Sequence, residues 1–108
     1  MNTIEHLLVT VGEEGCEIAH ITSKALRFGL QERWARNPDE NKPSNCERLV
    51  DELNDLLGVV DMLVELGEIP ANWMNIPKQE AKKMKVKKYM KYAKEDCGTL
   101  IYDSTEDA

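Results

Sequence analysis

Apolar residues recur along this chain at intervals of three and four, which is the period of an α-helix with one buried face. In the first segment this spacing predicts a helix over residues 3–28. Asn2 and Glu5 form a capping-box pattern at its start, and Gly29 is a typical terminator at its end. The chain therefore opens with a long amphipathic helix.

Two further helices follow from the same signals. Ser44 and Glu47 form a capping box that begins a second helix, and this helix is predicted to end at Gly67. Pro77 suits the first position of a third helix, which is predicted to end near Gly98. The three helices account for most of the sequence.

The segments between and after the helices contain no strand-like alternation of useful length. A polar loop rich in Pro and Asn spans residues 30–45, and the acidic tail at residues 99–108 is expected to be flexible. We therefore predict an all-α domain over residues 1–98, built as an antiparallel helical bundle. The third helix has few apolar residues, so the core is thin and oligomerisation is expected to complete it.

Composition sets limits on the class of protein. The chain has 108 residues, 42% of them hydrophobic and 31% charged, which is typical of one globular domain. It contains no run of about 18 apolar residues and no signal-peptide pattern, so no membrane contact is expected. The three cysteines, Cys16, Cys46 and Cys97, form no CxxC pair. Reduced thiols and a cytoplasmic location are expected.

Charge is distributed unevenly along the chain. Residues 78–94 contain eight lysines and one acid, whereas the rest has six basic and nineteen acidic residues, a net charge of −13. A predominantly acidic surface binds nucleic acid poorly, so nucleic acid is an unlikely partner. Lysines beside carboxylates instead suit a metal-bound polyphosphate.

Several carboxylates point toward the predicted core. A helix turns about 100° per residue, and both Glu14 and Glu17 fall within the apolar stripe of the first helix. Glu52 lies on the flank of the second helix's stripe, and Asp55 lies at its edge. The first stripe consists of Leu7, Val11, Ile18, Ile21, Ala25 and Phe28, and the second of Leu49, Leu53, Leu56, Val60 and Leu63.

Each pair of acids is spaced i,i+3 and so shares a helix face. Packing the two helices together can bring four carboxylates into one pocket, where they need counter-charge. Mg²⁺ prefers such oxygen ligands, with Mn²⁺ as a possible substitute. The alternative is that each pair lies on a solvated face, as isolated acidic pairs commonly do. Two pairs, with three of the four residues against apolar stripes, favour a metal site.

These motifs resemble a known family. "EEGCE" at residues 13–17 and "ELND" at residues 52–55 follow the E-E-x-x-E and E-x-x-D order of MazG-like, all-α nucleoside triphosphate pyrophosphohydrolases. "SKALRFG" at residues 23–29 and "KKMKVKKYM" at residues 82–90 are similar to short, phage-type members. The resemblance covers residues 4–93.

The resemblance implies a dimeric or tetrameric helical bundle that hydrolyses nucleoside triphosphates to monophosphate and pyrophosphate with Mg²⁺. When the family's metal-binding acids are carried over to the matching positions, the metal ligands and catalytic residues are Glu14, Glu17, Glu52 and Asp55. Glu13 matches the first acid of the motif, but its direction argues against ligation. The phage-like segments imply a bacterial or phage-infected host cytosol and suggest action on its deoxynucleotide pool, with dGTP as a guess at the substrate.

Four further residues are candidates for contacts with that substrate. Lys24 lies on nearly the same helix bearing as Glu17 and suits a phosphate contact, or else lies at the stripe's margin with its head in water. Lys82 and Lys85 flank the third helix's stripe and can reach phosphate, or are simply solvated. Trp34 either stacks on a base or pins the loop. The third stripe consists of Val86, Tyr89, Met90, Ala93 and Cys97.

Two other functions match parts of the sequence. Glu17 and His20 spell E-x-x-H, half of a di-iron ligand set, but a second E-x-x-H is missing and the only other histidine is His6. The main alternative is a non-catalytic helical interaction module whose basic C-terminal helix binds a partner. Inward-pointing carboxylates favour the enzyme.

Overall fold

The structure, a computed structural model, describes residues 1–34, 36–37 and 39–101. Within these ranges it contains helices and no strand, so the predicted all-α class is confirmed there. No helix among them is long and apolar enough to cross a membrane. The helices are α1 (Thr3–Phe28), α2 (Asn45–Glu65) and α3 (Ile76–Tyr92), and a π-helical turn, Ala93–Cys97, continues α3.

Local hydrogen bonds explain where α1 begins and ends. The Asn2 side chain accepts a hydrogen bond from the Glu5 N–H at 2.8 Å, which satisfies one of the free amides of the first turn. At the other end Gly29 adopts a φ of 110°, which residues with a Cβ rarely reach, and its N–H donates to the Ala25 carbonyl. The predicted bounds of α1 are confirmed.

The other two helices begin at predicted caps. Ser44 and Glu47 exchange the two hydrogen bonds of a capping box before α2. The Asn75 side chain caps α3 by accepting from the Lys78 N–H, so α3 begins one residue before the predicted start at Pro77. The third predicted helix also reaches Gly98, because the π-helical turn continues it.

The first part of the chain, Met1–Ala71, forms a compact unit of two antiparallel helices. The end of α1 is hydrogen-bonded to the start of α2, and the middles of the two helices meet at Glu14 and Glu52. Leu7, Ile21 and Leu63 are the buried apolar side chains in the described part of the chain. The core is as thin as predicted.

Two members of the stripes predicted on α1 and α2 are in fact exposed. Phe28 has 48% of its surface accessible because it lines an open cavity between the end of α1 and the start of α2. Leu53 is 43% accessible because the buried line of α2 runs through Glu52 on the neighbouring side. The assignment of these two residues to the core is wrong within this single chain.

The second unit begins at Asn72 and contains α3. No described residue of α3 is buried, and Val86 and Tyr89 of its predicted stripe are exposed. The Thr99 N–H donates to the Ala93 carbonyl at 3.0 Å, so the first residue of the predicted tail is bonded to the preceding turn. Residues 102–108 of that tail lie outside the described residues. A single domain over residues 1–98 stays a prediction.

The loop after α1 is fastened to the first turn of α2. The Asn45 and Cys46 N–H groups donate to the carbonyls of Glu32 and Leu30 at 2.9 and 2.8 Å. The Arg33 guanidinium contacts the Lys42 carbonyl and the Glu47 carboxylate. These bonds fix residues 30–34 beside the C-terminal end of α1.

Candidate metal centre and adjoining cavities

Three of the four predicted metal ligands meet between α1 and α2. Glu14 on α1 and Glu52 and Asp55 on α2 each place one carboxylate oxygen within 4.8 Å of the others. We call these three residues the carboxylate cluster. Glu14 and Glu52 are half-buried and Asp55 is exposed, so the cluster reaches from the helix contact to the surface.

Helical spacing explains why two acids lie at the core. Glu14 lies seven residues after Leu7 and seven before Ile21, and seven residues return a side chain to within about 20° of its bearing. Both neighbours are buried. Glu52 lies eleven residues before the buried Leu63, and eleven residues make about three whole turns, so the two side chains share nearly the same bearing. Burial of the apolar residues therefore carries the carboxylates inward.

The cluster is electrostatically unbalanced. Glu14 Oε2 is buried and has no hydrogen-bond partner. Burial, followed by hydrogen bonding and charge repulsion from Glu14 and the charges of Asp55 and Glu17, raises the pKa of Glu52. An arrangement of this kind costs stability unless a proton or a cation is added.

The donor set matches a hard divalent cation. Its three ligand side chains offer carboxylate oxygens and no nitrogen or sulfur, which is the preference of Mg²⁺, Mn²⁺ and Ca²⁺ rather than of zinc or copper. A cation there would also be coordinated by the Glu14 oxygen that has no hydrogen-bond partner. The residues present therefore fit the predicted metal.

Glu17 lies beside the cluster but not in it. It was expected to face the core with Glu14, and this expectation is wrong because its side chain is exposed. Three residues rotate a helix position by about 60°, and on that side the contact between α1 and α2 opens into a cleft of about 240 Å³. Glu17 lines this cleft, and its ligand role stays a prediction.

The walls of this cleft, which we call the acidic cleft, also carry cations. Lys24 is half-buried in it, as expected from its bearing relative to Glu17. Arg48, which the sequence reasoning missed, lies opposite on α2, and its Nε atom is buried without a hydrogen-bond partner. The signal for Arg48 was its position one turn before Glu52. The full lining is Glu17, His20, Ile21, Lys24, Arg48, Asp51 and Glu52.

Lys24 and Arg48 also line a second cavity of about 370 Å³, which we call the aromatic pocket. Trp34 lies here, with its ring centroid 6.0 Å from that of Phe28 and tilted by 59°. The Arg27 guanidinium lies 5.1 Å from the Phe28 ring centroid. The other lining residues are Glu32 and Asn45.

The remaining candidates lie elsewhere. Lys82 and Lys85 are exposed on α3 in the second unit, and their assignment to phosphate stays a prediction. His20 lines the acidic cleft next to Glu17 but does not belong to the carboxylate cluster. The cluster therefore offers no support for the di-iron alternative.

Comparison with known proteins gives no match to this chain among family models, curated proteins or solved structures.

Proposed function

We propose that this chain is a divalent-metal-dependent nucleoside triphosphate pyrophosphohydrolase. The reaction is the hydrolysis of a (deoxy)nucleoside triphosphate with one water to the monophosphate and pyrophosphate. The observation that carries the proposal is the buried, unpartnered Oε2 of Glu14 in a carboxylate cluster that adjoins a cleft lined by Lys24 and Arg48. Such a site combines ligands for a cation with cations for phosphate. The resemblance of "EEGCE" and "ELND" to MazG-like enzymes points to the same chemistry.

In this proposal Glu14, Glu52 and Asp55 hold Mg²⁺. When bound, the metal supplies charge stabilisation for phosphate oxygens and a more acidic water. Glu17 is exposed on the acidic cleft, so its carboxylate faces the ligand and is assigned as the fourth catalytic acid. Burial, followed by the negative charges of Glu14, Asp55 and Glu17, raises the pKa of Glu52, and a divalent cation would relieve that crowding of charge.

The distribution of cations supports a phosphate ligand. Residues 1–71 contain fourteen acidic and six basic residues, a net charge of −8. Three of those six basic residues, Lys24, Arg27 and Arg48, line the acidic cleft or the aromatic pocket. We assign Lys24 and Arg48 to the phosphates, where charged donors form the stronger hydrogen bonds. The assignment of Lys82 and Lys85 to phosphate stays a prediction from the sequence.

The proposal is tested by identifying products from the eight standard NTPs and dNTPs. We expect equimolar monophosphate and pyrophosphate with Mg²⁺, and no products when EDTA replaces it. Release of diphosphate and inorganic phosphate, or turnover that persists in EDTA, would contradict the assignment. The panel also tests whether the deoxynucleotides, and dGTP among them, are preferred.

We further propose that a second copy of the chain completes the thin core as a dimer or tetramer. Leu8 and Leu26 on α1 are 57% and 88% accessible, and α3 contains no buried residue in its described part. Burial of such side chains is the usual driving force for association. Light scattering coupled to size-exclusion chromatography should give twice or four times the 12.3 kDa chain mass. A monomer across the micromolar range would contradict this proposal.

The exposed α3 also keeps the interaction module in consideration. Val86 and Met90 lie among Lys82, Lys83 and Lys87 on one apolar patch of this helix. A module should bind an acidic partner in a salt-sensitive way that Glu17→Gln does not affect. Metal-dependent turnover that Glu17→Gln abolishes would favour the enzyme.

A further inference from the structure

The aromatic pocket has features that the pyrophosphohydrolase chemistry alone does not explain. Its volume of about 370 Å³ is within the range of small-molecule sites. It shares Lys24 and Arg48 with the acidic cleft, so the two cavities adjoin along one side. A ligand that binds both must have a flat end for the aromatic rings and an anionic end for Lys24 and Arg48.

The pocket is built by a constrained loop. Asn45 is only 3% exposed, and its side-chain amide donates to the Gly29 carbonyl at 2.8 Å and to Glu32 Oε2 at 3.1 Å. The Trp34 N–H donates to Glu32 Oε1, and Trp34 holds a positive φ of 54°, which is unfavourable for a residue with a side chain. The aromatic ring is therefore placed by specific bonds.

Glu32 gives the pocket a chemical preference. A carboxylate accepts hydrogen bonds and each of its oxygens can accept two. One donor is already assigned to each oxygen, Trp34 N–H to one and Asn45 Nδ2 to the other. Each oxygen therefore retains capacity for one donor from a ligand in the pocket. A ligand edge with two adjacent donors satisfies both.

Among the standard bases only guanine presents two adjacent donors on its pairing edge, the ring N1–H and the exocyclic 2-amino group. Adenine and cytosine each place a ring-nitrogen acceptor beside their amino donor. Thymine and uracil flank their single N–H with two carbonyl oxygens. An acceptor opposite a carboxylate is repelled, so Glu32 discriminates against these four bases.

We propose that the aromatic pocket is the nucleobase subsite and that Glu32 selects guanine. The base packs against Trp34, and the phosphates extend past Lys24 and Arg48 toward the carboxylate cluster. The unpartnered Arg48 Nε gains an acceptor from such a ligand. The direction of the phosphates rests on the proposed function, whereas recognition of the base does not require turnover.

The test is calorimetric binding of dGMP, dAMP, dCMP, dTMP and dIMP to the full chain in EDTA, where no hydrolysis occurs. We expect dGMP to bind about 10- to 100-fold more tightly than dAMP, the usual range for a bidentate base contact. The base of dIMP keeps N1–H but lacks the 2-amino group, so dIMP should fall between them. Equal binding of all five, preference for another base, or no binding of any at 10 mM would overturn the proposal.

A variant pair separates Glu32 from the loop that carries it. Glu32→Gln should remove most of the dGMP preference, because an amide offers one acceptor and one donor. Glu40→Gln is the matched control, since Glu40 also accepts from a backbone amide, that of Arg36, but does not line the pocket. The preference of the Glu40→Gln variant for dGMP should equal that of the unmodified chain. If Glu32→Gln retains the full preference, the assignment of Glu32 is wrong.

Glu32→Gln can also loosen the loop. In that case the ratio of dGMP affinity to dIMP affinity in the unmodified chain tests the contact between Glu32 and the 2-amino group of guanine. Guanine-selective binding without turnover of any triphosphate would contradict the pyrophosphohydrolase and support the base pocket. Turnover with no preference among the bases would support the pyrophosphohydrolase and contradict the base pocket. The two proposals therefore fail by different observations.

Discussion

Replacing Glu14 with glutamine should stabilise the metal-free protein and at the same time remove its response to Mg²⁺. Glu14 Oε2 is buried without a partner and lies within 4.8 Å of oxygens from Glu52 and Asp55. A glutamine amide carries no charge and can donate to either neighbouring carboxylate. It also removes one of the three ligands on which the metal depends. The two effects have opposite signs, which a merely structural role would not produce.

The size of each effect follows from the site. Leaving a buried polar group unsatisfied costs about 1–3 kcal/mol, so Glu14→Gln should gain about 1 kcal/mol at this half-buried position. For a unit the size of Met1–Ala71 that gain corresponds to a rise of about 4–8 °C in Tm. Mg²⁺ at about 100 times its Kd should stabilise the unmodified protein by about 2.7 kcal/mol, or about 10–20 °C.

The assay is thermal unfolding followed by circular dichroism, in EDTA and across a Mg²⁺ series. Glu14→Gln should melt above the unmodified chain in EDTA and below it at saturating Mg²⁺. Glu13→Gln is the matched control, because Glu13 is the adjacent acid on α1 and is exposed. It should respond to Mg²⁺ like the unmodified chain. If Glu14→Gln melts lower in EDTA and keeps the full Mg²⁺ response, the carboxylate cluster does not bind the metal.

Three further predictions concern the same site. The pKa of Glu52 is raised in the folded state, so folding favours its protonated form. The stability that this contributes is fully present below the ordinary pKa of 4.5 and is lost as pH rises through the pKa of the folded state. In EDTA, Glu52→Gln should therefore melt above the unmodified chain at pH 7 and at the same temperature near pH 4, and a difference independent of pH would contradict this. Glu17→Gln should abolish Mg²⁺-dependent turnover while the circular dichroism spectrum stays unchanged, and near-normal turnover would remove Glu17 from the catalytic set. Arg48→Met should raise the KM for triphosphate about 10-fold with a smaller effect on kcat, as expected for a lost charged hydrogen bond; an unchanged KM would show that Arg48 does not contact phosphate.

The helix ends were predictable because local bonds determine them. Asn2 and Ser44 cap through backbone amides three residues away, and Gly29 provides a backbone conformation that other residues avoid. The inward position of Glu14 was predictable for a similar reason, since its spacing from Leu7 and Ile21 fixes its bearing. These features depend on residues close in sequence.

Other features depend on where the elements pack. Phe28 and Leu53 have apolar bearings, but their exposure depends on how α1 and α2 pack: Phe28 lines a cavity, and the buried line of α2 runs through Glu52 instead of Leu53. Glu17 shares a helix face with Glu14, yet the helices separate on its side into the acidic cleft. The aromatic pocket depends on the hydrogen bonds from Asn45 to Glu32 and Gly29. These partners precede Asn45 by 13 and 16 positions, so no local sequence pattern predicts the bonds.

The central claim is that the carboxylate cluster binds the metal on which hydrolysis depends. The most direct measurement is the rate of pyrophosphate release, with saturating Mg²⁺ and the best triphosphate of the eight, by the unmodified chain, Glu13→Gln and Glu14→Gln. We predict equal rates for the first two and a loss of about 100-fold or more for Glu14→Gln, since even the groups that orient metal ligands are typically worth about 10–100-fold. Release by Glu14→Gln at the unmodified rate, or no release by the unmodified chain, would contradict the account.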